Sequence, residues 1–112
     1  MKIVNLTTFR ALPPNTVFSK YTPCAFEDLH IKGETWETDF LTQSISDAIA
    51  STGTSDFMHQ LDNAQQTGAS VPMDFDNACR DGCFESDQLF AVWEPQDVAA
   101  LITRLQECLP KS

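Results

Sequence analysis

Leu89-Phe90-Ala91-Val92-Trp93 is apolar without a break, and a helical stripe follows it. Five such residues, aromatic and β-branched, read as a buried strand. Val98, Leu101, Ile102, Leu105 and Leu109 then recur at steps of three or four, which sets them on one side of a helix. Pro95 suits the first helical turn, where its missing N–H costs nothing, and Asp97 lies near the positive end of the helix dipole. The pattern predicts a strand, a short joint and a helix over residues 87–110, with Leu101 and Leu105 buried against Phe90 and Val92.

Upstream, Lys2 to Leu6 reads as a first strand, and Thr7 or Thr8 caps a helical turn that Pro13-Pro14 must end. Thr16 to Tyr21 carries strand-type residues, and Thr22-Pro23-Cys24 interrupts it. Phe26 to Lys32 is a further strand, after which Gly33-Glu34 is expected to turn tightly into a strand around Asp39 to Ser44. Thr54 or Ser55 caps a second helix with Phe57, Met58, Leu61 and Ala64 on its apolar face, and Gly68 stops it. Val71, Met73 and Phe75 alternate with polar or proline positions, so Ser70 to Phe75 reads as an edge strand. Asp81-Gly82 is a turn signal that predicts a hairpin between strands near Phe75 and Phe90. These pieces predict a single α+β domain over residues 1–112, with a largely antiparallel sheet of about five strands and two main helices on one face.

Charge narrows the partners. Sixteen acids against seven bases give a formal charge of −9. Such a surface repels phosphate backbones and anionic headgroups, so direct nucleic-acid or membrane binding is not expected, and a basic protein partner is favoured. No apolar run approaches the roughly 18 to 20 residues that span a bilayer. The first fifteen residues lack the apolar stretch of a secretory signal, so a soluble cytoplasmic chain with reduced thiols is expected, Met1 being its natural start.

The residues with chemistry to offer gather in one stretch. Asp74, Asp76, Asp81, Glu85 and Asp87 lie within fourteen residues. Asp74, Asp76 and Glu85 fall at the first, third and twelfth positions of an EF-hand-like window, but Ala78 and Cys79 occupy the fifth and sixth, where a ligand and a glycine belong. A solvated acidic loop is the simpler reading. Cys79 and Cys83 have an admissible zinc spacing, yet Cys24, Cys108, His30 and His59 are scattered and supply no second pair. His59 has Asp56 and Asp62 three residues to either side, a routine arrangement on an exposed helix, and no nucleophile motif accompanies it. His30, between Leu29 and Ile31, is expected on the solvent face of its strand. Neither metal, cofactor nor catalytic residue is therefore expected. Trp93 reads as core. Trp36, flanked by Glu34, Glu37 and Asp39, reads either as packing or as an exposed anchor in an acidic rim, the form a protein-binding patch often takes.

The runs LPPNTVFSKYTPCAFEDLHIKGETW and DQLFAVWEPQDVAALITRLQ resemble short proteins of tailed phages and prophages of enteric bacteria. The resemblance implies a bacterial cytoplasm and a small accessory protein, and it supplies no catalytic residues. Two functions follow as expectations. The first is a non-catalytic interaction protein whose docking residues are Trp36, Asp76, Asp81, Glu85 and Asp87. The second is a small enzyme or metal-dependent module built on the Asp74 to Asp87 loop.

Overall fold

The computed structural model describes residues 1–82 and 85–111. Among the described residues six strands form one antiparallel sheet: β1 (Lys2–Asn5), β2 (Thr16–Thr22), β3 (Ala25–Trp36), β4 (Asp39–Ser44), β5 (Cys79–Arg80) and β6 (Leu89–Val92). Their order across the sheet is β1-β6-β2-β3-β4-β5. Three helices accompany it among the same residues: α1 (Leu6–Arg10), α2 (Thr54–Thr67) and α3 (Pro95–Gln106). The α+β class and the antiparallel sheet are as the sequence predicts, with a sixth, two-residue strand added.

The continuous apolar run is β6, and it lies between β1 and β2, inside the sheet. Its two sides serve different surfaces. Paired residues of an antiparallel sheet share a face, so Val92 with Phe18, and Phe40 beyond them, project to one side. There the five-residue helix α1 closes the core. Asn5 caps it, its side-chain oxygen accepting the Thr8 N–H at 2.9 Å. The cap sets Phe9 over the sheet, stacked on Phe90 at 4.0 Å and edge-on to Phe18 at 4.7 Å and Phe40 at 5.0 Å. All four rings are fully buried, each contributing about 2 to 3 kcal/mol of transfer energy.

That compact cluster overturns the expectation for α3. The helix forms where the pattern places it, with Pro95 in its first turn and a capping box between Glu94 and Asp97, but it buries no residue, and Leu105 is exposed. The reason is occupancy, because Phe9 already covers the Phe90 and Val92 side of the sheet. The other long helix, α2, also buries no residue, and Gly68 ends it in the left-handed conformation at φ 77°.

Three other expectations are corrected. Gly33-Glu34 is no turn; β3 runs through it to Trp36, and the reversal falls at Glu37-Thr38. Pairing with β4 shifts between Lys32 and Thr35, so Gly33 marks a bulge, where a Cβ would lie 2.9 Å from Leu41 Cβ. Ser70 to Phe75 makes one isolated bridge, Met73 with Ile49, instead of a strand. No hairpin forms at Asp81-Gly82, since β5 pairs with β4 while β6 pairs with β1 and β2.

The second sheet face carries Ile3, Val17, Leu29, Ile31, Leu41 and Leu89. None of these six is fully buried. Among the described residues no helix is long and apolar enough to cross a membrane.

Candidate functional site

Trp36 is the last residue of β3, immediately before the two-residue reversal, where Glu37 adopts a positive φ of 54°. This position at the sheet's end leaves its side chain 55% exposed. β5 supplies its neighbour. Arg80 pairs with Leu41 and places its guanidinium 4.5 Å from the Trp36 ring centroid, a cation–π contact that holds the ring in place. Arg80 is itself held, its Nε donating to Asp39 Oδ2 at 3.1 Å. Asp39 Oδ1 accepts the backbone N–H groups of Phe40 at 2.8 Å and Gly82 at 3.0 Å. Burial pushes the Asp39 carboxyl up, but those two N–H groups and Arg80 outweigh it and hold it below its ordinary value. Glu34 and Glu37, on either side of Trp36, are exposed. The result is an ordered aromatic platform with an acidic rim. The sequence offers the rim and the ring; Arg80, forty-four positions away, becomes visible only through strand pairing.

The acidic residues named from sequence separate into different places. Asp81 follows Arg80 and turns inward, paired with Lys20 at 2.9 Å, its side chain only 8% exposed. Asp76 is exposed, its N–H bonded to Asp74 Oδ1 at 2.9 Å. Glu85 and Asp87 are exposed and border a shallow depression beside the β2–β3 turn, with Tyr21, Thr22 and Pro23. Asp81 alone of the four sits next to the Trp36 and Arg80 pair in the chain.

The exposed surface keeps an acidic excess. Ten of the sixteen acids are exposed, against four of the seven bases. The three missing cations are engaged. Lys20 meets Asp81, and Arg10 donates to the Thr38 carbonyl at 2.6 Å. Lys32 is fully buried, donating to the carbonyls of Leu12 and Gly33 and to Thr35 Oγ1 at 2.8 to 3.0 Å. Burial lowers the Lys32 pKa, opposed by the charge of Glu34.

Two cavities complete the picture. His30 does not point to solvent, as its neighbours in sequence imply. It pairs with Phe18 on the core face, half-buried, with Nδ1 2.9 Å from Thr42 Oγ1. With Lys20, Asp28 and Asp81 it borders a polar pocket of about 210 Å³. A larger, apolar groove of about 620 Å³ runs between Leu12, Pro13, Trp93 and the α3 residues Val98 and Ile102. Trp93, expected in the core, is half-buried at this groove. No group of three His, Cys, Asp or Glu side chains is placed to hold a metal ion among the described residues. Cys24, Cys79 and Cys108 are free and exposed. Cys83, the other half of the spaced pair, lies outside the described residues.

No family model, no curated protein and no solved structure matches this chain. The functional reading therefore rests on the geometry just described. What that geometry offers is an exposed aromatic face held by an arginine, on a surface where exposed acids outnumber exposed bases.

Proposed function

We propose that this chain is a non-catalytic accessory protein, of the phage or prophage type that its sequence resembles, and that it captures a basic segment of another protein. Trp36 is the anchor, with exposed Glu34 and Glu37 beside it and the wider acidic surface as the steering field. The observation that carries this reading is the exposed Trp36 ring packed under Arg80, with the exposed residues Glu34 and Glu37 close to it in the chain. An aromatic side chain immobilised before binding loses little entropy on contact, and anchors of this kind dominate many interfaces. The surrounding negative charge raises the association rate of a basic partner and favours it over acidic competitors.

The test begins with a partner recovered from bacterial lysate at low salt and continues with the purified pair. Trp36→Ala should weaken binding about 30-fold or more, the equivalent of a hot-spot loss of roughly 2 kcal/mol. The double change Glu34→Gln and Glu37→Gln should mainly slow association, and the deficit should shrink as salt rises. Binding that is unchanged in both variants would remove Trp36 and its rim from the interface.

A further inference from the structure

The second face of the sheet is uncharged across its middle. Among its paired positions the charged residues are Asp39 and Arg80, at one margin, and these pair with each other. Ser19 and Ala91 face one another at its centre. Both are small and buried between larger neighbours such as Val17 and Leu89, so the middle of the face is closed rather than hollow. Phe26, paired with Tyr21 toward the opposite margin, is 58% exposed and stands out as a knob.

The whole molecule has surface to spare. A compact monomer of 12.5 kDa exposes about 6,200 Å². This chain exposes 7885 Å², an excess of about 1,700 Å². Its radius of gyration is 16.0 Å, against about 13 Å for a compact domain of this length. A standard interface removes about 800 Å² from each partner; the helices α2 and α3, which bury no residue, share this excess with the sheet face.

We propose that a second copy of the chain covers this face, giving a two-fold symmetric dimer with the two sheets packed face to face. Charge selects the occupant. A basic partner is drawn to the exposed acids, whereas this face offers it no countercharge. Two chains of −9 can meet closely only where neither presents net charge, and this face meets that condition. In a two-fold arrangement each contact occurs twice, so the exposed Phe26 of each copy lies against the apolar face of the other. Facing sheets stand about 10 Å apart, a spacing filled by side chains of the size found here. Trp36 and its acidic rim lie at the margin, so the dimer would present two capture sites.

Sedimentation equilibrium of the full chain tests this. The expected mass is about 25 kDa, twice that of the 12.5 kDa chain. Leu29→Lys, in mid-face, and Phe26→Lys should each weaken the dimer about 100-fold or more, as loss of a central contact does, with the far-ultraviolet circular dichroism retained. Should Leu29→Lys fail to fold, Phe26→Lys decides, because its position is exposed and outside the core. Leu105→Lys on α3 should leave the mass unchanged. A wild-type chain of single mass at every concentration up to its solubility limit overturns the proposal, as does a dimer that survives both face variants. A dimer broken by Leu105→Lys instead assigns the interface to the helix and overturns it too. Benzoylphenylalanine in place of Phe26 supplies the remaining arm. Photo-crosslinking to a different protein by a single-mass chain overturns self-association while leaving partner binding intact.

Discussion

Asp39 joins the end of the sheet to the loop beyond it. Its two oxygens hold Phe40, Gly82 and Arg80, so one carboxylate fixes β5 against β4 and the cation over Trp36. Asp39→Asn keeps the size but replaces one acceptor oxygen with a donor and removes the charge. It should cost about 1 to 3 kcal/mol near neutral pH, the range for losing bonds to a buried charged group. The pH dependence has a definite sign. The folded-state pKa is held below the ordinary value of 3.8, so the stabilisation is present above that value and disappears as the pH falls through the folded one. Urea unfolding across an acid series should therefore show wild type and variant far apart near neutrality and converging in acid. A gap that persists unchanged would mean that the charge contributes nothing. Lys32 responds in the same direction for a different reason: burial of its cation lowers its pKa, and that cost is relieved as pH rises from the folded value toward 10.5. Neither role was legible in sequence. Lys32 looks like any strand lysine until Leu12, Gly33 and Thr35 close around it, and Asp39 looks like one more acid.

At the scale of elements, the local signals placed most helices and strands but misread Gly33, Ser70 to Phe75 and Asp81-Gly82, and they did not give the docking of α3. Period and cap chemistry give α3 from Pro95 to Gln106, and Gly68 ends α2 for the expected reason. Strand β4 falls where its residues place it, at Asp39–Ser44. What the sequence could not rank is which apolar group reaches the sheet first. Phe9, in a helix of only five residues, outcompetes the long α3 stripe because Asn5 turns the chain directly back over β6. Phe9→Ala should accordingly cost about 3 to 5 kcal/mol, and Leu105→Ala no more than about 0.5 kcal/mol. Chemical denaturation of both variants checks the order, and a larger loss for Leu105 would restore α3 to the core. Gly33 carries a similar lesson. A glycine beside glutamate looks like a turn, but here it lets Leu41 approach across a bulge. Gly33→Ala should destabilise, because its Cβ would sit 2.9 Å from Leu41 Cβ and the two strands would have to part. Unchanged stability would show that the bulge yields at no cost.

For the molecule as a whole, charge and apolar area are segregated, and that segregation predicts opposite responses to salt. The exposed acids outnumber exposed bases ten to four, while the uncovered sheet face is neutral across its centre. The candidate site was partly legible for the same reason: Trp36 with its acidic neighbours is written contiguously, whereas the neutral face is assembled from five strands and is invisible to any local reading. Two copies meeting through that face bring like-charged surfaces together, and this repulsion opposes the apolar gain. Raising ionic strength shortens the screening length, from about 30 Å at 0.01 M to about 8 Å at 0.15 M, and so relieves the repulsion. Self-association should therefore tighten with salt. Capture of a basic segment at Trp36 draws on attraction across the same range, so it should weaken and slow with salt. Sedimentation and titration calorimetry over one salt series, on one preparation, give both slopes. Opposite signs would separate the two contacts, one at the charged margin near Trp36 and one at the neutral middle of the face. Weakening of both would mean that ion pairs hold the dimer together, and the neutral sheet face would lose its role.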